Sequence, residues 1–379
     1  MRNRTPMRRF PLVLCALLAP AIAFAAEPYE LARGVAPRNP QQPQLAIDGL
    51  GGVHIVYGIG DAVCYHRSDD GGHTYKKLAE LSFAHAMSLG MRRGPRIAVG
   101  ERAICITAIG GKQGKGRDDD LLAMRSVDGG KSWTGPATIN DVADAAREGL
   151  HAMAAGPKGE MCCAWLDLRN NSTEVRAAMS LDGGGTWSQN VLIYKSPDGS
   201  VCECCHPCVA VDPQGRIFVQ WRNSLAGARD MYVASSADEG RTFGKAVKLG
   251  SGSWPLKACP MDGGAIAVAA PGKVATAWRR DKAIFLLLGG QLEERLLGAG
   301  EQPWIAATAD GPFVVWLKKR GDAAMLLAPG SGSPIELAAH ANDPVIASGP
   351  SGRGPVVAVW EAQEGKNYKI QCQVVSDAK

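Results

Sequence analysis

Short runs of small apolar residues recur along the chain, each followed by a Gly-containing turn and a second apolar run. Seven units read PQLAIDGLGGVHIVY, PRIAVGERAICITA, HAMAAGPKGEMCCAW, PCVAVDPQGRIFVQW, GAIAVAAPGKVATAW, PWIAATADGPFVVW and PVIASGPSGRGPVVAVW, beginning near residues 43, 95, 151, 207, 264, 303 and 344. Six close on an aromatic residue, namely Tyr57, Trp165, Trp221, Trp278, Trp316 and Trp360; the second does not. Turn-forming Gly, Asp and Pro alternate with short β-rich runs, and no amphipathic helical period interrupts them. The pattern predicts an all-β chain of repeated small sheets forming one repeat architecture rather than several unrelated domains.

The first four units continue into SDDGGHTY at 68–75, SVDGGKSW at 126–133, SLDGGGTW at 180–187 and SADEGRTF at 236–243, at steps of 58, 54 and 56 residues. Each predicts a turn between antiparallel strands. Asp70, Asp128, Asp182 and Asp238 accept from backbone N–H groups of the turn, and the glycines permit positive φ. At these residues the chain resembles the Asp-box, or BNR, repeats of the sialidase-like β-propellers. The resemblance implies a single propeller of four-stranded blades, with the innermost strands on the axis and the Asp-box turns at the periphery. The unit count favours seven blades, with six, as in sialidases, the alternative. Segment 27–42 is placed to add an outer strand to the last blade and close the ring.

The N-terminus changes the picture of charge and compartment. A basic stretch, MRNRTPMRRF, precedes the apolar PLVLCALLAPAIAFA and the small residues before Glu27, so residues 1–26 read as a signal peptide and 27–379 as the propeller. No stretch reaches the ~20 apolar residues of a spanning helix. The full chain carries +5, but the leader holds Arg2, Arg4, Arg8 and Arg9 and no acid, which leaves +1. That balance gives no electrostatic case for nucleic acid or an anionic membrane. The expected location is periplasmic or secreted.

Four of the eleven cysteines fall in VCECCHPC at 201–208. Superposing the units sets Cys202 opposite Cys259 of KACP, so Cys202, Cys204, Cys205, Cys208 and Cys259 are expected on one rim of the channel. Disulfides such as Cys202–Cys208 or Cys205–Cys259 suit an oxidising compartment. A copper or zinc site with His206 as an added ligand suits clustered soft donors. Redox exchange through Cys205-His-Pro-Cys208 is the third reading. Cys105, Cys162 and Cys163 read as buried packing or local bridges, and Cys64–Cys372 as a bridge across the ring closure.

Loops after the second strands carry Asp167, Arg169, Arg222 and Arg279, and the segments entering the first strands carry Arg96 and His151. Guanidinium groups around a funnel hold a carboxylate or sulfate by bidentate hydrogen bonds. Asp167, Arg169 and Arg222 are the catalytic candidates; Arg96, His151 and Arg279 are the ligand-binding ones. The bland reading of each is a solvated loop charge or an arginine stacked on a blade tryptophan. The sialidase resemblance implies three substrate-holding arginines, a Tyr–Glu pair and an Asp acid. Here the nearest matches are Pro95-Arg96-Ile97-Ala98 and Tyr368 with Glu364, and the cysteine motifs have no counterpart in that pattern. Three functions follow: a glycan- or acidic-sugar-binding propeller, a metal- or redox-associated scaffold that could also hold a protein partner, and an exo-glycosidase with non-standard residues.

Overall fold

A computed structural model describes residues 27–291 and 293–377; the expected signal peptide, 1–26, lies outside the described residues. Seven antiparallel sheets succeed one another along the chain, which establishes the all-β propeller and sets aside the six-blade alternative. The innermost strands are Gln41–Ile47, Arg96–Val99, His151–Ala155, Cys208–Val211, Gly264–Ala270, Glu301–Thr308 and Ala341–Ser348. Each packs beside the next, and the seventh packs beside the first.

The seventh sheet takes its outermost strand from the N-terminal side. Tyr29–Arg33 pairs with Asn367–Ser376, so the ring is closed by hydrogen bonds between the two ends of the described chain. This covers an edge that would otherwise present unpaired N–H and C=O groups. Blade two has an irregular addition: Ala86–Met87 also pairs with Ile104–Gly111, beside the innermost Arg96–Val99.

The core lies between blades. Leu166, Val175 and Ala177 of blade three pack with Val209, Val219 and Trp221 of blade four, and Ile55 and Tyr57 of blade one pack with Val357 and Val359 of blade seven. Trp165, Trp221, Trp316 and Trp360 are among the largest fully buried side chains. Truncating one such side chain to Ala costs about 3–5 kcal/mol.

The four Ser-x-Asp-x-Gly turns join the third and outermost strands and share one hydrogen-bond pattern. In the second, the Gly130 N–H donates to Ser126 Oγ (2.8 Å), the N–H groups of Lys131 and Ser132 donate to Asp128 Oδ1 (3.0 and 2.9 Å), and Ser132 Oγ donates to Asp128 Oδ2. Asp70 and Asp182 repeat it with threonine in the last role, and Asp238 does so except that the Arg241 N–H donates to its backbone carbonyl. Gly130 sits at φ +90° directly against Tyr65 of the preceding blade, and Trp133 meets the same ring edge-on at 5.4 Å. These turns fix how one blade leans on the next.

Candidate functional site

Loops entering the innermost strands and loops joining second to third strands gather at one face of the ring. At that face the channel is closed. The loop before Arg96–Val99 carries Arg92 across the axis, where its guanidinium donates to the carbonyls of Gln302 (2.8 Å) and Pro344 (3.1 Å), from blades six and seven. Met91 and Arg92 adopt φ of +53° and +67° to make this crossing. Arg96 donates in turn to the carbonyls of Arg92, Gly94 and Pro95. Trp304 lies under Arg92 at 5.1 Å and stacks with His206 at 5.6 Å. Beneath this plug a cavity of ≈ 820 Å³ follows the axis, from Arg96, Cys208 and Trp304 to the turns at Asp48, Gly100, Gly156 and Asp212 on the opposite face.

Around the plug is a layer of buried charge. Asp343 faces Arg92 (3.7 Å) and Arg320 (2.6 Å), and Glu361 accepts from the backbone and side-chain nitrogens of Gln42. Burial, and then the charge of Asp343, push Glu361 above the usual carboxylate range; burial does the same to Asp262. His206, 1% exposed, is held well below its ordinary pKa by burial and by Arg92, Arg96 and Arg222. Burial therefore favours its neutral form.

From this layer two arginines reach the surface. Arg279 and Arg320 have side chains 21% and 32% exposed. Glu301 spans them, accepting from Arg279 Nη1 (3.2 Å) through one oxygen and from the Arg320 amide (2.6 Å) through the other. Trp254, itself 8% exposed, lies under both Arg279 (5.6 Å) and Arg222 (5.2 Å). The result is an arc over blades five and six, two arginines with Glu301 between them, anchored from behind by the buried Asp262 and Asp343.

The arginines and acids singled out in the sequence divide between this arc and the framework. Arg222 is buried, and its Nε, Nη1 and Nη2 donate to the carbonyls of Asp262, Arg229 and Arg279, which clamps blade four to blade five. Asp167 is fully buried and accepts from Trp165 Nε1 and from Arg169, while Arg169 also reaches Asp141 (2.8 Å) and Asn190 (2.7 Å). The geometry gives these three catalytic candidates framework partners. His151 is buried, with Nε2 against Thr107 Oγ1 (3.0 Å) and Nδ1 unpartnered, and burial drives it neutral. Arg96 borders the cavity, and Arg279 reaches solvent. Glu364 is engaged by Arg33 (2.6 Å) and Lys369 (2.5 Å), away from any pairing with Tyr368.

The cysteines lie at the same face, in the segments entering blades four and five. A disulfide joins Cys204 to Cys259, which replaces the Cys205–Cys259 pairing suggested by the sequence. Cys202 and Cys205 remain thiols with Sγ atoms 3.0 Å apart, because the Cys205 N–H to Cys202 C=O bond closes a turn that brings both side chains together. Cys208 is a free thiol packed against Ala265 and Ile266 in the blade-four/blade-five core, so neither the Cys202–Cys208 bridge nor a Cys205-His-Pro-Cys208 pair is formed. For copper or zinc, Cys202, Cys204 and Cys205 have ligand atoms within 4.8 Å of one another. With Cys204 in a disulfide, however, that set offers two thiols and no third thiolate. Cys64, Cys372, Cys105, Cys162 and Cys163 are buried free thiols, and no Cys64–Cys372 bridge is formed.

Sequence reasoning missed Arg92, Asp343 and Glu361. Glu361 follows Trp360 as Arg222 follows Trp221 and Arg279 follows Trp278, so the rule that found the arginines also reaches it. Asp343 belongs to a second legible series, Gln42-Pro, Gln302-Pro and Asp343-Pro, three residues at positive φ that open innermost strands with a bulge. Arg92 has no such series.

No family model and no curated protein matches the chain. Solved structures do. The α-L-arabinofuranosidase Arb93A of Fusarium graminearum, in complex with an iminosugar inhibitor, superposes with a TM-score of 0.55 at 12% identity, over 92% of this chain and 97% of that one. A Hadza microbial sialidase, Hz136, gives 0.50 at 13% identity over 85% and 73%. A catalytically inactive virginiamycin B lyase of Staphylococcus aureus, with quinupristin, gives 0.52 at 10% identity over 92% and 98%. At these identities the likeness is one of fold: the chain shares the sialidase-like propeller architecture, on which several chemistries are built.

Proposed function

We propose that this protein is an exported propeller that binds a glycan, with an acidic sugar as the best-fitting ligand, at the channel mouth beside the Cys-rich rim. The carrying observation is the Arg279–Glu301–Arg320 arc, in which two partly exposed guanidinium groups are held in place by buried acids behind them. Such preorganised donors suit a carboxylate or sulfate, and the buried Trp254 ring supports Arg279 from below. Two similar propellers, an arabinofuranosidase and a sialidase, support a sugar as the ligand class. The leader-like residues 1–26 support export.

The reading is of binding rather than hydrolysis. The paired acids Asp343 and Glu361 lie beside the plug, each 1% exposed and engaged with Arg320, so neither is presented to a sugar held at the rim. Calorimetric titration with sialic acid, galacturonic acid and neutral galactose tests the proposal. The acidic sugars bind and galactose does not compete, and Arg279→Ala or Arg320→Ala weakens binding roughly 10- to 100-fold, the worth of a charge-assisted hydrogen bond. Equal affinity for acidic and neutral sugars would overturn the acidic-sugar assignment. Turnover of a fluorogenic sialoside would overturn the restriction to binding.

A further inference from the structure

The Cys204–Cys259 disulfide is layered over an unbridged pair. Cys259 is exposed, Cys204 is 8% exposed, and Cys202 and Cys205 behind them are each 1% exposed. Cys202 Sγ lies 3.8 Å from Cys204 Sγ and 3.0 Å from Cys205 Sγ, and Cys205 Sγ lies 3.9 Å from Cys204 Sγ. The four sulfurs form an unbroken path from solvent to a buried dithiol. A staple between two loops requires two cysteines; the second pair, in contact with the first, has no part in stapling.

We propose that Cys202, Cys204, Cys205 and Cys259 form a thiol–disulfide exchange site that moves one disulfide between the rim and the buried pair and trades electrons with an external dithiol or disulfide through Cys259. In the inward step the Cys202 thiolate attacks Cys204 Sγ. The Cys202–Cys204 bond forms, the Cys204–Cys259 bond breaks, and its electron pair leaves on Cys259, which takes a proton from water. Cys205 then loses its proton and attacks Cys202 Sγ. The Cys202–Cys205 bond forms, and Cys204 leaves as a thiolate and is protonated. One disulfide and two thiols are present before and after, so the migration requires no oxidant. The rim dithiol so formed reduces an external disulfide, closing Cys204–Cys259 again and leaving the inner bond in place. An external dithiol reverses this.

The surroundings divide the roles. The hydrogen bond between Cys202 and Cys205 and the positive charge of Arg222 and Arg229 together hold Cys202 below the ordinary thiol range. Burial pushes the Cys205 thiol well above the ordinary range, which leaves Cys202 as the first nucleophile. Exposure of Cys259 makes it both the leaving group and the port for an outside thiol. None of these four cysteines belongs to the arginine arc, so the exchange site stands or falls separately from sugar binding.

The test is disulfide mapping of the wild-type protein after incubation in glutathione redox buffers, acid quench and alkylation. The expected result is a Cys202–Cys205-linked peptide that appears as Cys204 and Cys259 become alkylated. In Cys205→Ser the relay stalls after its first step, leaving Cys202 bonded to Cys204 and Cys259 alkylated. The proposal is overturned if wild-type protein keeps Cys204–Cys259 as its sole bond in the cluster across these buffers, with Cys202 and Cys205 always alkylated. It is equally overturned if both bonds form and neither responds to the buffer, or if Cys205→Ser retains Cys204–Cys259 intact.

Discussion

Replacing Gly130 by Ala isolates what the peripheral turns contribute to blade-to-blade packing. Its φ of +90° disfavours a side chain, and an added Cβ would collide with ring carbon Cε1 of Tyr65 in the preceding blade. Tyr65 has little freedom to yield: it is fully buried, its hydroxyl is 2.8 Å from His54 Nδ1, and Trp133 packs on its edge. Gly290, in the outer turn of blade five, is the matched control, with φ +84° and nothing within 4 Å of an added Cβ. The backbone penalty of about 1–2 kcal/mol is common to both variants. Overpacking adds about 1–3 kcal/mol at Gly130 alone. With a urea dependence of about 3 kcal/mol/M, a difference of about 2 kcal/mol separates the two midpoints by roughly 0.7 M. Urea titration followed by tryptophan fluorescence reads this directly. Equal shifts for Gly130→Ala and Gly290→Ala would refute the claim that these turns pack one blade on the next.

Two further predictions concern pH. Asp182 is opposed by burial but held down to about 2 by hydrogen bonds from Thr186, Ser180 and Gly185, so its contribution is fully present above its unfolded value of 3.8 and is lost as the pH falls towards 2. Asp182→Asn therefore lowers the urea midpoint at pH 7 and flattens the decline between pH 4 and 2; an unchanged acid limb would contradict the turn chemistry. Glu361 has the opposite sign: its folded pKa is raised, so the folded state holds a proton that the unfolded chain releases, and stability falls as the pH rises above about 4.5. Glu361→Gln removes that decline, and a midpoint–pH curve identical to wild type would contradict a buried, protonated Glu361.

Much of the architecture is legible because it is repeated. The small-apolar strand and glycine turn recur at each blade, with a closing aromatic in all but the second, and the near-constant steps between Asp70, Asp128, Asp182 and Asp238 mark four outer turns. Ring closure by Tyr29–Arg33 is legible from the seventh unit's need for an outer partner. The site is less legible where it departs from repetition. Arg92 acts through a loop that crosses the axis at positive φ, a path set by the carbonyls of Gln302 and Pro344, 210 and 252 residues away. The sequence locates Cys204 and Cys259 on one rim, but which cysteine pairs depends on the turn at 202–205, whose backbone bond directs Cys202 and Cys205 at each other and leaves Cys204 outward. Arg222 and Asp167 are charged residues in the expected loops. Their partners, backbone carbonyls in one case and Trp165 with Arg169 in the other, are visible only in three dimensions.

The central claim, an acidic-sugar site on the arginine arc, is tested most directly by titrating sialic acid into wild-type protein and into the Arg279→Ala/Arg320→Ala double variant at low and high salt. The account predicts saturable binding to wild type that weakens with salt and is abolished in the double variant, whose urea midpoint stays close to that of either single variant. Undiminished binding by a folded double variant would contradict it.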